Sequence, residues 1–410
     1  MLTTVTTSAE ARPRRRWAIL VVGVVAQTAA SSFVYGVPFL VPALRDERGL
    51  SLAAVGVLVA APTTGLLLAL VAWGVVVDRV GERIPMATGL GVAGLVVGGI
   101  ALDPPSSLVT TALLLGVGGL GAASVNAASG RLIMGWFAVD ERGIAMGIRQ
   151  TAQPLGVAAA ALVLPVLATT QGPFVALGWT GLACLVAAVL VVAVAQDAPR
   201  RAPAPHEPTG NPYRVPTLYR LHAASALLVL PQFAVSAFSL EYLVREQGWS
   251  PGVAGVFVAV AQILGAAGRI ATGWWSDRVG SRLRPMRQLA VGSALVMLGF
   301  AAGSVWVPVI AVAAIAVGAI VTVADNGLAF VSTAEMAGQA WSGRALGVQN
   351  TTQNIVASVA PPVLGALIGA TSYGVGFAAA ALAPLAAIAV TPVAAERAAV
   401  EETPARSPGG

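Results

Sequence analysis

Residues 73–86 read WGVVVDRVGERIPM: an Asp, a Glu and two Arg crowd positions 78–83, with apolar sequence on either side. Residues 273–286 read GWWSDRVGSRLRPM and repeat the pattern. Gly74, Asp78, Arg79, Val80, Gly81 and Arg83 return as Gly273, Asp277, Arg278, Val279, Gly280 and Arg282, each 199 positions on. A charged cluster that recurs at so long an interval marks a chain built twice, and the sequence around each copy indicates the solvent.

That solvent is lipid. The 410 residues are 57% hydrophobic and 10% charged, where soluble domains run roughly 45–50% and ~25%. Apolar runs cover 17–44, 52–77, 85–102, 107–137, 143–168, 173–196, 218–244, 251–276, 285–303, 306–335, 343–370 and 372–393. Each approaches or exceeds the ~20 residues that cross a ~30 Å hydrocarbon core as a helix. None has the ten-residue alternation of a membrane barrel, so an all-α membrane protein with twelve transmembrane helices is expected.

The net charge of +6 is carried by arginine, with no lysine in the chain. The arginines are spread over short loops and form no single basic face, which argues against a nucleic-acid partner. Arg45, Arg48 and Arg245 fall between runs on one side, and Arg131, Arg149 and Arg269 fall inside runs. The remaining eighteen of 24 lie on the side of the chain ends. The positive-inside rule therefore predicts a multi-pass protein of the inner (plasma) membrane with both termini cytoplasmic. ARPRRRW (11–17) leads into a run too long for a signal-peptide core, so the first span is expected to stay in place. The single cysteine, Cys184, sits in an apolar run and forms no intrachain disulfide. No metal-ligand spacing and no nucleophile–base constellation is present, and a P-loop needs a lysine. Neither an enzyme nor a cofactor is expected.

QDAPRRAPAPHEPTGNPYR (196–214) is rich in proline and charge and reads as a linker. The expected order is a cytoplasmic tail 1–16, a six-helix bundle 17–196, a linker 197–217, a second bundle 218–393 and a tail 394–410. RDERGLS (45–51) matches VREQGWS (244–250), with Ser51 and Ser250 as N-caps and Pro251 in the first turn. RGIAMGIRQTAQ (142–153) matches SGRALGVQNTTQ (342–353), keeping Gly143/Gly343, Gly147/Gly347, Thr151/Thr351 and Gln153/Gln353 in register. With six spans each, both halves enter from the same side and form a parallel repeat.

These features resemble the major facilitator superfamily along nearly the whole chain, whose signature loop Gly-x-x-x-Asp-Arg-x-Gly-x-Arg stands in both halves. The resemblance implies two six-helix bundles, with spans 5 and 8 facing each other across their seam and spans 1, 4, 7 and 10 lining a central cavity. The two loops then act as a gating latch. Gly74 and Gly273 admit a neighbouring backbone, and Gly81 and Gly280 belong to the same latch. Asp78 and Asp277 lie by repeat symmetry near the starts of spans 11 and 5, where a carboxylate meets the positive end of a helix. Arg79, Arg83, Arg278 and Arg282 hold lipid phosphate or acids such as Asp140 and Glu335.

Within the superfamily the chain looks most like the monocarboxylate and oxalate:formate group. The resemblance lies in YGVPFLVPALRDERGLS (35–51) and LEYLVREQGWSPGVAGVFVAVAQILGAAGRIATGWWSDRVG (240–280). It implies that Arg269 binds a substrate carboxylate. The chain departs from that group in span 11, which reads VQNTTQNIVAS without lysine. Span 5 reads RQTAQPLG, similar to the drug/proton antiporter motif but with Gln153 in place of a glycine.

Charge inside a bilayer is costly and marks function by default. Arg149 and Arg269 are expected about 10 Å inside the membrane at 1.5 Å per residue, able to meet one anion from two sides. Snorkelling to headgroups is the bland reading of each, and Arg131 is expected to snorkel or to serve the latch. Asp325 is the deep carboxylate, able to take up and release a proton during transport. Glu241 is expected at a solvated mouth, His206 in the linker, and His222 solvated or interfacial. Gln27, Ser31, Tyr35, Gln153, Gln232, Ser236, Gln349, Asn350, Gln353 and Asn354 should face the bundle interior, either bonding between helices or touching substrate. The expected function is secondary active transport of a small organic solute, first an organic anion such as a monocarboxylate, with proton coupling and by a monomer. Proton-coupled efflux of a drug-like molecule is the alternative, and a non-transporting receptor a distant one.

Overall fold

The computed structural model describes residues 13–137, 145, 148–197, 211–338 and 341–396, and the structural statements below concern these. Twelve helices are long and apolar enough to cross a membrane. Spans 1–6 are Arg15–Val34, Leu52–Val80, Arg83–Leu102, Leu108–Ile133, Ile148–Gln171 and Pro173–Val194. Spans 7–12 are Thr217–Arg245, Pro251–Val279, Leu283–Trp306, Pro308–Ala337, Arg344–Ala370 and Tyr373–Glu396. Among the described residues there is no strand. Ser51 and Ser250 cap spans 2 and 8, accepting from the amides of Ala54 (3.2 Å) and Val253 (3.4 Å).

Two expected continuous helices are broken. The run 17–44 ends its helix at Val34 and continues as a 3-10 turn, Val37–Leu40, and a short helix, Val41–Arg48. Pro38 and Pro42 supply no backbone N–H there. The run 306–335 divides at Asp325 into Pro308–Ala324 and Asn326–Ala337. The guanidinium Nε of Arg269 donates to the Val323 carbonyl at 3.1 Å, an oxygen that an unbroken helix would give to Gly327. The start of run 143–168 lies outside the described residues.

In the first half span 2 packs on span 4, and span 3 on spans 4 and 6. In the second, span 9 packs on spans 10 and 12, and span 7 on spans 11 and 12. The halves meet through span 2 against span 11 and span 5 against span 8. Leu68, Val71, Leu95, Leu113, Val189, Leu295 and Leu382 are exposed, an apolar jacket suited to lipid tails. The start of span 1, the end of span 6, the start of span 7 and the end of span 12 share one face, here the terminal face; the other is the distal face.

The seam is tightest toward the distal face. A Cβ on Gly255 of span 8 would stand 2.2 Å from the Ala161 carbonyl oxygen of span 5. One on Gly56 would stand 2.6 Å from the Pro361 carbonyl oxygen, and one on Gly365 2.6 Å from that of Leu52. Backbones this close require glycine, as small-residue crossings in membranes do.

Candidate functional site

A small cavity of about 50 Å³ lies at the centre of the seam. Its polar walls are Tyr35 beyond span 1, Thr63 of span 2, Gln153 of span 5, Gln232 and Ser236 of span 7, Gln262 and Arg269 of span 8, and Thr322 of span 10. Phe39, Val59, Val157 and Phe233 supply apolar surface. Because Nε of Arg269 is held by Val323, its terminal nitrogens remain for a ligand, in the planar fork that suits a carboxylate. Asp325, two residues beyond Val323, is 2% exposed, and its Oδ2 has no hydrogen-bond partner. The Arg269 and Asp325 charges lie near enough to act on each other.

Of the eight residues expected to bind substrate, Arg269, Gln153, Tyr35 and Gln232 line this cavity. The other four do not. Arg149, one turn before Gln153, donates from Nε to the Ser129 hydroxyl at 2.9 Å, so the two arginines are not brought to a common cavity. Gln27 donates to Asn126 Oδ1 at 2.9 Å and accepts from Ser129. Asn350 accepts from Asn354 within span 11. Gln353 donates to the Ser225 hydroxyl at 2.7 Å and to Asn326 Oδ1 at 3.3 Å. Asn326 in turn donates to Gln232 Oε1 at 3.1 Å, so Gln353 acts on the cavity through two partners.

The expected settings of two groups are corrected. His222 is 3% exposed, its ring between the Tyr213 hydroxyl at 3.0 Å and Gln349 Oε1 at 3.3 Å. Glu241 is 0% exposed, because the first half covers it and supplies an arginine, Arg45, that donates to its Oε1. Beside it Arg245 donates to Asp46 and to the Pro42 carbonyl, and stands 3.6 Å from Glu241. These hydrogen bonds and ion pairs join the halves at the distal face. His206 and Asp140 lie outside the described residues.

At the terminal face the latch loops pair within their own halves. Asp78 takes a hydrogen bond from Arg131, which also stands 3.4 Å from Glu82. Arg131 is thus an ion-pair partner of the loop. Arg282 donates to Asp277 and to the Ser276 hydroxyl, and stands 3.7 Å from Glu335. Arg83 donates to the Val192 carbonyl, and Arg278 lies over the Trp274 ring at 3.8 Å. Arg79 has an interaction of its own. The close backbone approach expected at Gly74 and Gly273 is not made: a Cβ on either would meet nothing within 4 Å.

Sequence reasoning missed one pair of residues. Asp197, after span 6, accepts from the amides of Glu82 (2.7 Å) and Arg83 (2.8 Å). Glu396, after span 12, accepts from the Arg282 amide (2.6 Å) and the Ser281 hydroxyl. Each carboxylate caps the helix that its latch loop begins, and they stand 199 positions apart, the offset of the loops themselves. That shared offset was the available signal. Gly81 turns at φ +93°, and a Cβ there would stand 2.5 Å from Asp197 Cγ. The turn therefore needs glycine.

Comparison with known proteins adds kinship. The family model of the Major Facilitator Superfamily matches residues 19–361. An uncharacterized MFS-type transporter of Mycobacterium tuberculosis (strain H37Rv) is 42% identical over 385 residues, covering 92% of this chain and 85% of that one. The hexuronate transporter of Bacillus subtilis (strain 168) is 24% identical over 250 residues, 58% of this chain and 59% of its own. Among solved structures, the D-xylose–proton symporter aligns with a TM-score of 0.74 at 14% identity, covering 92% and 98% of the two chains. A bacterial homologue of the lysosomal transporter Spinster aligns at 0.73, also at 14%, covering 95% and 97%.

Proposed function

Because the chain belongs to the major facilitator superfamily, and is a transporter rather than an enzyme, we propose that it moves a small organic anion together with a proton by alternating access. The observation that carries this reading is Arg269 at the seam cavity with Asp325 beside it. In the empty site an ionised Asp325 balances Arg269. A substrate carboxylate that takes the Arg269 fork leaves Asp325 without its counter-charge, and a buried unpaired carboxylate favours protonation. Loaded with anion and proton, or emptied of both, the site carries the same net charge. Half-loaded states carry an unbalanced charge in a low-dielectric cavity and reorient poorly. Coupling follows from this bookkeeping of charge, one proton to one monocarboxylate.

Support comes from the B. subtilis relative, named for hexuronate, an organic anion, and from the neutral polar groups around Arg269, which suit a carboxylate bearing hydroxyls. The terminal face is cytoplasmic in this reading, by the arginine asymmetry. The conformation is then closed outward, and the latch engages when the terminal face closes. Phe39, Val157 and Phe233 on the cavity wall favour the second reading, proton-coupled efflux of a more apolar molecule. The deciding experiment is uptake into proteoliposomes by the purified protein, against a panel of monocarboxylates, sugar acids and neutral sugars, with and without a pH gradient. Gradient-dependent accumulation of an acid supports the proposal. Export of apolar compounds with no acid transported overturns it.

A further inference from the structure

Arg149 stands on span 5, one turn nearer the terminal face than Gln153, and outside the seam cavity. It is half-buried, and its guanidinium is held by Nε, as that of Arg269 is. The acceptor is the Ser129 hydroxyl of span 4 at 2.9 Å, whose own proton goes to Gln27 Oε1 of span 1 at 3.4 Å. Of the terminal nitrogens, Nη1 reaches the Gln150 side chain at 3.4 Å. Nη2 makes no hydrogen bond among the described residues and is not closed off from water. Nor does an ion pair join Arg149 to a carboxylate among the described residues. A guanidinium in a span without a counter-charge is costly, and one anchored at Nε with its outer nitrogens open suits an anion.

The repeat gives an independent measure of what this position needs for folding. Arg149 and Gln349 are equivalent at the offset of 200 that relates spans 5 and 11. Gln349 is 0% exposed and is satisfied wholly within the second half. Its Oε1 accepts from Thr333 and lies 3.3 Å from His222 Nδ1, and its Nε2 donates to the Ser225 hydroxyl at 3.4 Å. A neutral amide is therefore enough to tie spans 7, 10 and 11 together. In the first half Gln27, Asn126 and Ser129 already join spans 1 and 4, and Arg149 adds a charge to them. That charge exceeds what packing requires.

Resting on the anion reading of the seam site, we propose that Arg149 is a second carboxylate-binding site on the same route, between the seam cavity and the terminal face. The substrate anion meets Arg149 and Arg269 in succession. Their anchors keep them from closing on one carboxylate together: Nε of Arg269 is tied to the backbone of span 10 and Nε of Arg149 to span 4. With the distal face closed, both sites are reached from the terminal side. With the terminal face closed, an anion entering from the distal side meets Arg269 alone. Arg149 therefore sets affinity at one face of the membrane and not at the other, a differential effect on the two conformations.

The experiment uses sealed membrane vesicles of both orientations carrying the full chain, and initial rates of radiolabelled D-glucuronate entry at equal pH on the two sides. Arg149→Gln should raise the half-saturation constant at the terminal face about tenfold, the order of one lost hydrogen bond to a charged group. The constant at the distal face should not change. Arg149→Lys, which keeps the charge and gives up the Ser129 bond, should recover most of the loss. Arg149→Gln should insert like the parent, because glutamine already serves at position 349; failure to insert would make the charge structural and overturn the proposal. Parental constants at both faces would overturn it, as would equal rises at both. Arg149→Lys as impaired as Arg149→Gln would do the same, since the role would then be the bond to Ser129. If Arg149→Gln is parental while Arg269→Gln abolishes transport, the seam reading stands without this second site. A parent that carries no glucuronate from either face removes both.

Discussion

At the scale of single residues the transporter turns on Arg269, whose guanidinium is anchored at one nitrogen and open at the other two. Arg269→Lys keeps the charge but loses both the Val323 anchor and the fork. We expect the apparent substrate constant to rise at least tenfold with expression unchanged, since a charge-assisted bidentate contact is worth roughly 1.5–3 kcal/mol. Parent-like uptake kinetics would set the fork aside. Asp325→Asn fixes the neutral form, so anion exchange should persist while accumulation driven by a pH gradient disappears; surviving accumulation would locate the proton carrier elsewhere. Both residues were legible in sequence because a charge inside an apolar run stands out against its cost. The uncharged members of the site were not separable. Gln27 and Gln232 have equal claims by sequence, yet Asn126 and Ser129 engage the first while the second reaches the cavity. Helices apolar on every side carry no stripe to say which face turns inward. Glu241 escaped for a related reason: one turn from a span end, its exposure depends on what the other half brings, and Arg45 was visible only as a loop residue.

At the scale of elements, the seam spans act as pairs with one close crossing each. Gly255 meets the backbone of span 5 where no side chain fits, so Gly255→Leu should hold the distal ends of spans 5 and 8 apart. The expected result is a shift toward the conformation closed at the terminal face, seen as greater modification of a cysteine placed at the distal seam. Unchanged reactivity would mean that the crossing does not limit closure. The latch loops present the converse case. Asp78 is exposed and paired with Arg131 of its own half. In the proposal it changes partner as the terminal face closes. Asp78→Asn should slow turnover several-fold, leaving membrane insertion and substrate affinity intact; normal turnover in a well-expressed variant would refute it. The repeat made the loops easy to find, yet sequence has no way to say which of two alternating partners a loop holds at a given moment.

At the scale of the whole molecule Arg45 and Arg245 tie the halves at the distal face, and transport in this reading requires them to part there. A Cβ on Gly369 would stand 3.6 Å from that of Leu52 across the seam, within the ~3.5–4.5 Å that a disulfide spans. The native Cys184 is buried, so Leu52→Cys with Gly369→Cys gives a nearly clean pair. Oxidation should link the halves and stop transport, and reduction should restore it. Full transport by the linked protein would exclude separation at that face. The twelve spans and their two-fold order were readable because hydropathy and an offset of 199 or 200 survive without structure. The breaks at Asp325 and after Val34 were not, since they depend on Arg269 reaching another helix and on prolines that merely permit an interruption.

The carboxylates of Asp197 and Glu396 bear on ancestry. Each closes its own half, from the same place after the sixth helix, onto the same turn. The unit that was doubled therefore already possessed this clasp, and was a finished bundle before it became half of one. A chain severed between 198 and 210 leaves both clasps whole. Co-expression of the two pieces, followed by co-purification, is the direct test of that independence.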